Sequence, residues 1–158
     1  MSGVAPRRTL VAAFGNALRG DDGFGIAVME RLESLQQTDD LGGGVTLLEV
    51  GTGGLQLAQE LLTRYDRVIV VDAMRRGREP GEVSVLRVEE VENVASIDLH
   101  LAAPAQALAA AKALGVLPGE VFIVGCEADE VDELTMDLTP PVAAAVPVSV
   151  SRVRELLA

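Results

Sequence analysis

Two adjacent carboxylates, Asp21 and Asp22, sit in a glycine-rich turn, Gly15-Asn16-Ala17-Leu18-Arg19-Gly20-Asp21-Asp22-Gly23-Phe24-Gly25, directly after the apolar run Leu10 to Phe14. A turn in this place binds phosphate only when it offers backbone N–H groups and positive charge, and two acids would repel that ligand. A metal ion or a scissile peptide suits them better. Two further residues have matching chemistry: Asp72, which closes the run Val68 to Val71, and His100, the only histidine. Two carboxylates and one imidazole make an open site with room for water or substrate. Zinc, nickel, iron and cobalt all accept such ligands, and the residue types do not choose among them.

These residues meet only if the fold brings them together. Apolar runs of strand length alternate with helical periodicity, the pattern of an α/β domain. The sequence predicts strands at Thr9–Phe14, Val45–Val50, Arg67–Asp72, Glu82–Val88 and Val121–Cys126, with helices at Gly23–Gln36, Gly54–Thr63, Pro104–Leu114 and Pro140–Leu157. The segment from Ala73 to Gly81 is too short for the roughly dozen-residue crossover between parallel strands, so the fourth strand is expected to run antiparallel. The others, joined through helices, give three α/β/α layers around a mixed sheet. In such a sheet, sites form beyond the carboxyl ends of the strands where the winding reverses. Asp22 follows strand one and Asp72 ends strand three. His100 precedes the helix that leads into strand five, and that helix must start at the same edge.

Each residue also has a plainer reading. Asp21 or Asp22 can cap the helix that begins near Gly23, at ~1 kcal/mol. An aspartate often closes a strand, and a lone histidine is more often a surface or core residue than a ligand. Cys126 ends a buried strand, which favours packing over nucleophilic chemistry. The acidic run Glu127 to Asp137 and the arginines Arg75, Arg76 and Arg78 read as a solvated loop and an exposed turn.

Composition sets the outer limits. The 158 residues fit one domain, 1–158, with 49% hydrophobic residues, 3% aromatic and a net charge of −11. That charge argues against nucleic acid or an anionic membrane as partner. No segment reaches the roughly 20 apolar residues of a membrane span. The apolar run after Arg7-Arg8 breaks at Gly15, too early for a signal peptide, and a single cysteine makes no intrachain disulfide. The cytoplasm is the expected location.

Several residues together resemble the hydrogenase maturation proteases. They are Gly15-Asn16, Leu18, Gly20-Asp21-Asp22-Gly23 and Gly25; then Gly51-Thr52 with Gly54, Val71-Asp72-Ala73, His100, Gly125 and Leu138-Thr139-Pro140. The resemblance implies a sheet of order 2-1-3-5-4 with strand four antiparallel. It further implies a cytoplasmic, aspartyl-type endopeptidase that trims the C-terminal extension from the large-subunit precursor of [NiFe] hydrogenase after nickel insertion. On that resemblance Asp22, Asp72 and His100 are at once the catalytic and the metal-contacting residues, with Asp21 in support. The nickel arrives with the substrate, and zinc or cadmium can stand in for it. Some family members carry Glu where this chain has Asp22.

Three other readings are weaker. A dinucleotide-binding domain would need Gly-x-Gly-x-x-Gly after strand one, and Gly15, Gly20, Gly23 and Gly25 have other spacings. A noncatalytic partner-binding module would use the acidic rim without His100. A cysteine hydrolase would pair Cys126 with His100. The sequence does not fix the oligomeric state.

Overall fold

The computed structural model describes residues 7–98 and 101–158. The strands are β1 (Thr9–Phe14), β2 (Val45–Gly51), β3 (Arg67–Met74), β4 (Val83–Arg87) and β5 (Glu120–Glu127). The helices are α1 (Phe24–Gln37), α2 (Leu55–Leu61), α3 (Val94–Ile97), α4 (Ala102–Ala113) and α5 (Pro140–Leu157). The sheet order is β2-β1-β3-β5-β4. β1 runs parallel to β2 and to β3, β3 runs parallel to β5, and β4 is antiparallel to β5. The expected mixed sheet is therefore present, with its antiparallel strand on the edge.

All of β1 and β3 is buried, because helices cover both faces of the central strands, and such strands read as continuous apolar runs. Alternation sorts their side chains between two cores. Leu10, Ala12, Phe14, Val68 and Val70 pack against Leu57, Leu61, Leu101 and Leu108 of the α2/α4 layer. Val11, Ala13, Ile69, Val71 and Ala73 pack against Phe24, Met29, Leu32, Val146 and Val153 of the α1/α5 layer. The period of two along β3 directs Asp72, like Val70 and Met74, toward the α2/α4 side.

The elements depart from expectation mainly at their ends. α2 stops at Leu61, α4 starts at Ala102 rather than Pro104, and a short 3-10 turn with α3 fills Val91–Ile97, where no helix was predicted. A helix of four residues shows no hydrophobic periodicity, so nothing in the sequence marks it. No helix of the described residues is long and apolar enough to cross a membrane.

Candidate active site

Three parallel strands end at one edge, and their last residues form a cavity there. Phe14 at the end of β1 and Gly15 after it, Gly51 at the end of β2 and Thr52 after it, Asp72 of β3, Asp22 and Ala103 line about 180 Å³. This is the edge where the winding reverses: β1 turns out to β2 on one side while β3 leads to β5 on the other. Asp22 and Asp72 thus share one cavity, as the topology predicted. His100 lies outside the described residues, so the third member of the proposed triad is not placed. Among the described residues no three His, Cys, Asp or Glu side chains gather as a metal-binding group.

Close backbone packing holds Asp22 in position. A Cβ on Gly25 would lie 2.3 Å from the Phe14 carbonyl oxygen and 2.9 Å from that of Val71. Only glycine lets the start of α1 sit directly on the ends of β1 and β3. Gly15, at φ +138°, would bring a Cβ to 2.1 Å from the Asp22 carbonyl. Its N–H donates to Gly51 O at 2.7 Å, beside the register shift between β1 and β2 after Ala13. The Asn16 N–H donates at 3.1 Å to both the carbonyl and the Oδ2 of Asp22.

Asp72 is the group whose electrostatics stand out. It is 5% exposed, and burial, then the negative charge of Asp22, raises its carboxyl well above the ordinary 3.8. The Ala73 N–H, donating to Oδ1 at 2.8 Å, pulls the other way, and Asp98 adds to the rise. Among the described residues nothing donates to the second oxygen of either Asp22 or Asp72. Two oxygens in one cavity, costly to ionise together and free of hydrogen bonds from those residues, suit a cation.

Asp21 does different work from its neighbour. It is fully buried, and it caps no helix, because neither the turn Gly20–Gly23 nor α1 receives a side-chain cap. Its carboxylate instead accepts from Asp129 N at 2.9 Å, Glu130 N at 3.0 Å, and Thr139 N and Oγ1, both at 2.8 Å. The capping reading is therefore corrected. The acid pins the loop after β5 to the turn that carries Asp22.

Two further buried acids carry no signature in the sequence. Asp98 accepts from the Arg75 N–H, and Glu127 accepts from Arg76 N at 3.0 and 3.1 Å. Together they fix the backbone just beyond β3. Glu127, 6% exposed, is thus not part of a solvated acidic loop, since it ends β5 inside the protein. Such side-chain contacts with distant backbone follow no periodicity.

Cys126 belongs to the α1/α5 core, the layer that Asp72 faces away from. It is fully buried, and burial, reinforced by the charges of Asp21 and Glu127, pushes its thiol up to about 12. Thiolate chemistry is thereby disfavoured. The native protein is expected to resist iodoacetamide at pH 7.5, with Cys126 modified only after denaturation; rapid labelling of the folded protein, read by mass spectrometry, would restore the cysteine reading.

The fold is shared with solved peptidases. The structure resembles the hydrogenase maturating endopeptidase HybD from E. coli, with a TM-score of 0.82 and 30% identity over 95% of this chain and 91% of that one. It also resembles the [NiFe] hydrogenase maturation protease HybD from Thermococcus kodakarensis, at TM-score 0.79 and 29% identity, covering 96% of this chain and 99% of that one. In sequence, the hydrogenase expression/formation protein HupD of Bradyrhizobium diazoefficiens is 33% identical over 96% of this chain and 78% of its own length. The family profile described as hydrogenase maturation protease matches residues 26–155. The chain belongs to the hydrogenase maturation protease family, and it is a peptidase.

Proposed function

We propose that this peptidase removes the C-terminal extension of a [NiFe] hydrogenase large-subunit precursor once nickel has been inserted, using Asp22, Asp72 and His100. The observation that carries the reading is the shared cavity of Asp22 and Asp72 at the carboxyl edge. Until a cation arrives, burial and then the charge of Asp22 raise the proton affinity of Asp72. A precursor that brings nickel supplies the missing positive charge, and one without nickel does not. The metal is cargo of the substrate, and cleavage is licensed by its presence.

Each residue then has a separate task. Asp22 and Asp72 offer the oxygens that Asn16 and Ala73 leave open, and His100 contributes the imidazole nitrogen that completes an open, three-ligand arrangement. The Asn16 and Ala73 N–H groups orient the carboxylates so that those oxygens face the cavity. Water is activated within this cluster and attacks the scissile carbonyl, which makes the enzyme aspartyl-type without a covalent intermediate. Zinc or cadmium can occupy the same ligands without being the working metal. The reaction is assigned to the cytoplasm.

Incubation with cognate, nickel-loaded precursor is expected to shorten the large subunit by one discrete C-terminal peptide in intact-mass spectra. A large subunit left intact by the wild-type protein would overturn the assignment.

A further inference from the structure

The loop pinned by Asp21 and the turn it is pinned to carry three exposed apolar side chains that the cavity does not use. Leu18, Leu134 and Met136 are 58%, 84% and 74% exposed. With Thr135 they line a groove of about 270 Å³. Loose side chains would mean little, but these are held on a fixed frame. Residues Arg19 and Thr135 form a parallel bridge, the Thr135 N–H donates to Leu18 O at 3.1 Å, and the Gly20 N–H donates to Thr135 O at 2.9 Å. The groove is therefore preformed, which lowers the entropy cost of filling it.

Its surroundings define what would fill it. Asp132, Glu133 and Asp137, exposed and flanking the groove residues in sequence, are acidic, and the one basic side chain of the turn, Arg19, already pairs with Asp132 at 3.4 Å. An apolar floor with an acidic rim matches a segment of apolar residues flanked by Lys or Arg. The groove and the cavity also open on one stretch of chain, because Leu18 lines the first while Gly15 and Asp22 line the second.

We propose that this groove docks the hydrogenase large-subunit precursor through an apolar, basic-flanked segment, holding it while the peptide bond is presented to Asp22 and Asp72. This rests on the reading under Proposed function. Docking away from the reacting bond stabilises substrate and transition state equally, so it appears in KM and leaves kcat alone.

The test is the double variant Leu134→Ser/Met136→Ser, whose side chains are too exposed to matter for folding, assayed with cognate nickel-loaded precursor. KM and the Kd for the precursor are expected to rise roughly tenfold or more at unchanged kcat. The pair Asp132→Lys/Glu133→Lys is expected to slow association by about tenfold at low salt, the loss fading as salt is added. Wild-type KM in the Ser variant, with cleavage intact, would overturn the docking inference alone. Failure of the wild-type protein to bind or cut the precursor would overturn the functional reading as well. A wild-type dimer in sedimentation that the Ser variant dissociates would assign the groove to a second copy of this chain and overturn the inference.

Discussion

Replacing Asp72 by Asn is expected to stabilise the protein and abolish its activity. Burial and the neighbouring charges of Asp22 and Asp98 raise the Asp72 carboxyl above its ordinary value. A carboxyl raised in the folded state contributes stability that is fully present below the unfolded value, near 3.9, and is lost as pH rises through the folded value. Above the unfolded value the group is therefore a net cost to folding. Asn removes the charge and keeps an oxygen to accept the Ala73 N–H. The gain should be on the order of 1 kcal/mol, or a Tm about 2–4 °C higher, and it should vanish in acid. Cleavage should fall at least ~100-fold. Asp22→Asn should lose activity equally and stabilise by less than Asp72→Asn, since Asp22 is only half-buried, its charge ranks after burial in raising Asp72, and its contact with Asn16 can persist. Thermal melts at pH 7 and pH 4, beside cleavage assays, check both. A less stable Asp72→Asn protein would contradict the electrostatic account of the cavity.

The adjacent acid is expected to behave in the opposite way. Asp21→Asn should cost about 3 kcal/mol at pH 7, because an amide nitrogen would face donors that now meet an oxygen, leaving buried groups unpaired. Burial alone would raise this carboxyl, but its hydrogen bonds from Glu130, Thr139 and Asp129 outweigh burial and hold it below 3.8. A depressed carboxyl contributes stability that is present above the unfolded value and lost as pH falls through the folded one. The gap between wild type and Asp21→Asn should therefore be constant above about pH 5 and shrink below about pH 4. Urea denaturation at pH 7 and at pH 3.5 measures both gaps. A neutral substitution at pH 7 would mean that the loop after β5 is not held by this carboxylate.

The contrast between these neighbours marks how much the sequence reveals. Alternating apolar runs and one short connector, Ala73 to Gly81, were enough for the layers, the mixed sheet and its antiparallel β4. Topology then put Asp22 and Asp72 at one edge, and they do share a cavity. The task of Asp21 was hidden because its partners, Asp129, Glu130 and Thr139, lie more than a hundred residues away and bond mostly through backbone N–H groups. Asp98 and Glu127 carry no mark in the sequence because each also bonds a backbone N–H, 23 and 51 residues away, beyond β3. The exposed Leu134 and Met136 sit in an acidic run whose average polarity conceals them.

Cleavage of one precursor in two metal states tests the account most directly. Large-subunit precursor prepared with and without nickel is incubated with equal amounts of this protein, and intact mass is followed over time. Loss of the C-terminal peptide from the nickel-loaded form alone is the predicted result, with wild-type protein active and both Asp22→Asn and Asp72→Asn silent. Equal cleavage of the nickel-free precursor would contradict licensing by the substrate's metal.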